Sequence, residues 1–169
     1  MASSLTAVLL LLLASAGIAG AALSRERQFL DPHNKARKAV KVPNLSWDSN
    51  LAKYAQNWAN KQARNNCQLK VSNGPYGENL YWSSWSSTPL DAVKAFVSEK
   101  QFYNHASNTC KAKNSCLNYT QCVINGCRLQ VVWKKTTKLG CGSSRCPRGG
   151  TITVCSYNPR GNFIGQRPY

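Results

Sequence analysis

The sequence predicts an α+β domain, helices laid on an antiparallel sheet and stapled by disulfides, and three observations predict it. Helical apolar spacing dominates from about residue 32 to residue 102, whereas β-branched and alternating stretches dominate from residue 130 onward. Helices first and strands afterwards argues for segregated layers rather than an alternating parallel fold. All eight cysteines lie between Cys67 and Cys155, and an even count in an exported chain reads as a disulfide framework.

Export is read from the N-terminus, where the apolar run 7–14 (AVLLLLLA) is followed by small residues, the layout of a secretory signal cleaved near Ala21. The run is too short and too interrupted by glycine for a bilayer span, which needs roughly 20 apolar residues. Residues 1–21 are therefore expected to be removed, leaving 22–169 as one domain large enough to bury its own core.

The first helix is predicted over 32–40, with Asp31 as N-cap, Pro32 in the first turn and His33 near the positive end. A second helix begins at Ser49, where Leu51, Tyr54, Ala55, Trp58, Ala59 and Gln62 fall at helical spacing and read as a core stripe. A third follows the capping-box spacing of Thr88-Pro89-Leu90-Asp91, with Val93, Phe96, Val97 and Phe102 on one face and Glu99 close to it. Strands are predicted over 130–134, 139–141 and 151–157, with Ile152 and Val154 pointing one way. Asn158-Pro159-Arg160-Gly161 reads as a turn into a last short strand at 163–164.

Lysine and arginine number 22 against 6 acidic residues, a formal charge of +16. Such a field draws the protein to polyanions, namely anionic cell-wall polymers or membrane surfaces, and export argues against a specific nucleic-acid partner. Metal clusters of the zinc-finger kind are a poor fit, because no C-x2-C pair occurs and the cysteine pairs come without histidines.

Several stretches coincide with one pattern: HNKAR (33–37), LSWDSNLAKYAQNWAN (45–60), YGENL (76–80), AVKAFVSEK (92–100), YTQ with VVW, LGC (139–141) and GNFIGQRPY (161–169). The chain resembles plant pathogenesis-related proteins of class one, within the superfamily of cysteine-rich secretory proteins, insect antigen five and pathogenesis-related proteins. The resemblance covers essentially all of 22–169. It implies a three-layer α-β-α sandwich and three bridges, Cys67–Cys146, Cys110–Cys116 and Cys141–Cys155. That leaves Cys122 and Cys127 as a possible extra pair, inside a stretch (116–133) that reads as one strand written twice. Two explanations stand even: residues 122–130 are translated non-coding sequence, or they form a true loop closed by Cys122–Cys127.

The resemblance also implies a central cleft of two histidines and two glutamates able to hold a divalent metal such as zinc. Its first histidine is placed on His33 and its glutamates on Glu78 and Glu99, while Asn118 stands where the second histidine belongs. An amide is a poor substitute for imidazole, so His33 is left as a weak metal ligand and no cofactor is required. A second alignment instead puts Cys127 in the histidine's place. His105 reads as a surface residue. Two N-glycosylation sequons occur, at Asn44 and Asn118, of which Asn44 is the expected acceptor.

The function implied is that of a basic, monomeric defence protein acting against fungi or oomycetes by binding, delivered outside the cell to the apoplast, with the vacuole as the alternative. Sterols or other lipids are the implied ligands, captured by a loop after GENL where Tyr81, Trp82 and Trp85 offer flat apolar faces. Enzyme activity is not expected. A metal-assisted hydrolase built on His33, Glu78 and Glu99 lacks its second histidine, and no Ser-His-Asp or Cys-His set replaces it. A further reading is a precursor of the peptide 159–169, released in relatives after an aspartate where this chain has Asn158.

Overall fold

The computed structural model describes residues 22–110, 130–163 and 166–169. The export segment, Cys116, Asn118, Cys122, Cys127 and Ile164 lie outside the described residues, and with them the bridge to Cys110, the doubled stretch, the second sequon and the second half of the 163–164 strand.

Helix α1 spans Arg25–Ala39 and starts seven residues earlier than predicted. Ser24, not Asp31, is its N-cap, accepting the N–H of Arg27 at 3.3 Å, and Glu26 favours the positive end. Pro32 therefore sits inside the helix and His33 in its third turn. The earlier start is explained by the buried stripe Phe29, His33 and Arg37, which needs a turn upstream of the proline. Asp31 pairs with Arg27 on the solvent side, at 3.1 Å.

Strand β1, Ser46–Trp47, leads into α2, Ser49–Arg64, which begins as predicted because Asp48 accepts the N–H groups of Asn50 and Leu51. Strand β2 is Gly77–Ser83, a strand the sequence reading did not assign. Helix α3, Pro89–Ser98, carries the predicted capping box on Thr88 and Asp91 and runs into a 3-10 turn, Glu99–Phe102. A small hairpin follows, β3 at Tyr103–Asn104 and β4 at Thr109–Cys110. The long strands are β5, Lys138–Arg145, and β6, Thr151–Asn158.

The main sheet has the order β1-β5-β6-β2, with β1 parallel to β5 and the other pairs antiparallel. Helix α2 packs on one face, where Ala55, Ala59 and Ala63 meet Leu80, Ile152 and Val154. Helices α1 and α3 pack together on the other, where Phe29, Val93 and Phe96 meet Leu139, Cys141, Cys155 and Tyr157. This is the expected three-layer α-β-α sandwich. Alternation along β6 sorts its side chains between the layers. Glycines set the α2 spacing: a Cβ on Gly140 would lie 2.1 Å from the backbone nitrogen of Ala52, and one on Gly142 would lie 2.4 Å from the Cα of Gln56.

Residues 130–134 are not a strand. Val131, Val132 and Trp133 are all buried in succession, and the carbonyls of Val131 and Trp133 bond to the Arg37 guanidinium instead of to a ladder. Phe163, similarly, belongs to no strand. Two of the implied bridges are present, Cys67–Cys146 and Cys141–Cys155. The C-terminal residues dock on Lys134 and on the β3–β4 hairpin: Lys134 N donates to Pro168 O at 2.7 Å, Arg167 donates to the carbonyls of His105 and Ala106, and the His105 ring stacks on Tyr169 at 4.5 Å. His105 is exposed, as expected. Asn44 is exposed as well.

Candidate functional site

The motif HNKAR is a set of structural ties. Asn34 bonds both backbone groups of Leu45, at 3.0 and 2.7 Å. Arg37 is fully buried and donates to the carbonyls of Pro43, Val131, Trp133 and Thr136 at 2.6 to 3.0 Å. Burial lowers its pKa to about 10.

His33 is also fully buried. Its Nδ1 lies 2.8 Å from the Phe29 carbonyl, an acceptor only, so Nδ1 carries the proton and Nε2 accepts from the Tyr157 hydroxyl, also at 2.8 Å. The Tyr157 oxygen accepts in turn from Asn79 Nδ2 at 3.1 Å. Burial drives the imidazole pKa down to about 4, with the Phe29 bond opposing and the Arg37 charge assisting. Burial also pushes the Tyr157 phenol upward.

Glu78 is on the other face of the sheet. It pairs with Ser156 in the ladder, whereas Asn79 and Tyr157, which flank that register, point toward α1. The Glu78 carboxylate accepts from Ser72 N at 2.6 Å and Ser72 Oγ at 2.5 Å, and Tyr54 of α2 reaches the same Oγ at 2.6 Å. Burial raises the Glu78 pKa and the Ser72 bonds oppose it. Glu78 itself lines a cavity of about 320 Å³, together with Val71, Tyr76, Gln130, Arg160 and Asn162 among others. Gln130 is wired into that wall, accepting from Gly161 N and Asn162 Nδ2 and donating to Thr136.

Glu99 sits at the C-terminal end of α3, in the layer that holds His33. The structure therefore does not bring His33 and Glu78 together. The residues present do not fit the implied metal: both His33 nitrogens are engaged, its ring is closed to solvent, and among the described residues no group of three His, Cys, Asp or Glu could hold an ion. This corrects the assignment of His33 to the cleft; the residue belongs to the core.

The aromatic trio also divides. Tyr81 packs against the α1–α3 core, while Trp82 and Trp85 are 46% and 60% exposed. Adjacent strand residues face opposite sides, so the three cannot form one platform. A site missed by the sequence reading is a groove of about 440 Å³ between α1 and α3, walled by Pro32, Ala36, Ala39, Leu90, Val93 and Val97 and flanked by Lys35 and Lys94. Apolar residues at i, i+4, i+7 on α1 and i, i+3, i+7 on α3 are its signature in the sequence, but only the packing of α1 against α3 brings the two stripes side by side.

Residues 30–157 match the profile of the Cysteine-rich secretory protein family, CAP. Pathogenesis-related protein PR-1 of Medicago truncatula is 49% identical over 150 residues, 86% of this chain and 80% of that one. Pathogenesis-related protein 1 of Arabidopsis thaliana is 46% identical over 143 residues, 85% and 81%. Among solved structures, Schistosoma mansoni venom allergen-like protein 4 superposes with a TM-score of 0.65 at 27% identity, over 87% of this chain and 95% of that one.

Proposed function

The chain belongs to the CAP family of cysteine-rich secretory proteins and has plant pathogenesis-related proteins as relatives, and from that premise we propose a secreted defence protein that works by holding an apolar ligand rather than by catalysis. The ligand class is a sterol or another lipid, and the target a fungal or oomycete surface. The observation that carries this reading is the α1–α3 groove, whose walls are aliphatic and small and whose rim holds two lysines. Such a trough removes hydrocarbon from water while the ammonium groups meet a carboxylate or hydroxyl at the ligand's polar end. The binding reading is further supported by the state of the polar candidates. His33 spends both ring nitrogens on the protein and lies on the opposite face of the sheet from Glu78, so the two do not form an acid–base pair around one substrate.

Titration of the purified protein with a fluorescent sterol and a fluorescent fatty acid tests the reading. Ala39→Trp, which fills the groove from an exposed position, is expected to weaken binding about tenfold or more, with Trp82→Ala unchanged. Undiminished binding by the folded Ala39→Trp protein would remove the groove from consideration.

A further inference from the structure

Trp82 stands at the mouth of a separate cleft of about 280 Å³, formed where the end of β2 meets the turn between β5 and β6. Asn66, Ser84, Pro147 and Arg148 complete its walls, and Cys146, bonded to Cys67, forms its floor. The cleft is preformed. The bridge ties the two walls together, and the turn is locked against β2 because Gly150, at φ +86°, leaves no room for a side chain: a Cβ there would lie 2.1 Å from the Ser83 carbonyl oxygen. A second arginine, Arg145, reaches across to Ser86 in the loop that carries Trp85. None of the chain's 6 acidic residues lines the cleft.

We propose that this cleft binds an acidic polysaccharide, seating a uronate ring on Trp82 with its carboxylate against Arg148. An exposed indole face offers the apolar C–H side of a sugar ring a flat partner while the ring's hydroxyls stay in reach of polar groups. Here those groups are the Asn66 amide and the Ser84 hydroxyl. A planar guanidinium matches a carboxylate in a way a diffuse field does not. A sterol fits less well, because covering Arg148 with hydrocarbon would desolvate a cation and return no hydrogen bond. The overall charge of +16 adds long-range attraction to a polymer that repeats the carboxylate. This inference is independent of the lipid groove, which lies between the helices on the other face of the sheet.

Calorimetric titration of the mature protein with defined oligogalacturonates tests it, at low and at physiological salt. Trp82→Ala and Arg148→Gln are each expected to weaken binding about tenfold or more. Lys53→Gln, which removes the same charge from an exposed position at the far end of α2, should change it less than about twofold. Fully methyl-esterified chains should bind at least about tenfold more weakly than free uronate chains. Equal losses from Lys53→Gln and Arg148→Gln would mean only a diffuse field, and unchanged binding by Trp82→Ala would remove the sugar platform. Binding to phosphatidylserine vesicles that depends on Trp82, with oligogalacturonate binding that does not, would assign the surface to membranes and overturn the proposal. Sterol and fatty-acid titrations of the same two variants should be unaltered, which separates failure here from failure of the groove.

Discussion

Arg37 carries its charge into the interior with carbonyl oxygens, not a carboxylate, as its hydrogen-bond partners. Four carbonyl dipoles replace its water, one from Pro43 and three from the segment 131–136, so one side chain fixes a segment that no strand ladder holds. Arg37→Met would keep much of the packing but strand those acceptors, and a loss of about 3 kcal/mol or more in urea unfolding is expected; a loss below about 1 kcal/mol would mean water takes the guanidinium's place. His33 makes a second residue-scale prediction. Its folded pKa, about 4, lies below the ordinary 6.5, so the unfolded chain binds the extra proton first. Its contribution is complete above pH 6.5 and is lost as pH falls from 6.5 to 4, about 3 kcal/mol at most. Glu78, with its pKa raised, works in the opposite sense and gains stability as the pH falls through its folded value. Urea midpoints at pH 7, 5.5 and 4 should decline in the parent and decline less in His33→Gln; parallel declines would exclude His33 as the cause.

At the scale of elements, α2 reaches the sheet only because β5 presents Gly140 and Gly142 to it. Gly140→Ala should push the helix outward at a cost of about 1–3 kcal/mol, seen as a lower melting temperature; an unchanged melt would show that the layer yields freely. Which elements were legible follows from where their determinants lie. The starts of α2 and α3 are set within three residues by Asp48 and by Thr88 with Asp91, and the sequence displays them. Strand β6 was equally plain because its β-branched residues alternate. Strand β2 was not, since Gly77-Glu78-Asn79 has little strand preference and is made extended by its register with β6, 76 to 80 residues away in sequence. The candidate site was less legible still. His33 looked like a ligand because its real partner, the Tyr157 hydroxyl, is 124 residues distant, and Tyr81 and Trp82 looked like one surface until the pleat divided them.

For the whole molecule, a formal charge of +16 is carried by a sandwich whose α1–α3 groove and Trp82 cleft lie on opposite sides of the sheet. The C-terminal segment is part of that whole. Asn158 closes β6, its carbonyl accepting from Thr137 N at 3.1 Å, and beyond it Gly161, Asn162, Arg167 and Pro168 bond back to the body at Gln130, Lys134 and the hairpin at His105. If a protease nicks the chain beside Asn158, native mass spectrometry should weigh both pieces as a single particle and denaturing conditions should separate them. A native spectrum of the larger piece alone would contradict this.

The clasp formed by Arg167, His105 and Tyr169 thus makes scission and departure two different events. A severed tail of this kind is cargo still moored. Its liberation would be timed by whatever loosens the berth, such as a competing surface or local unfolding, and not by the enzyme that made the cut.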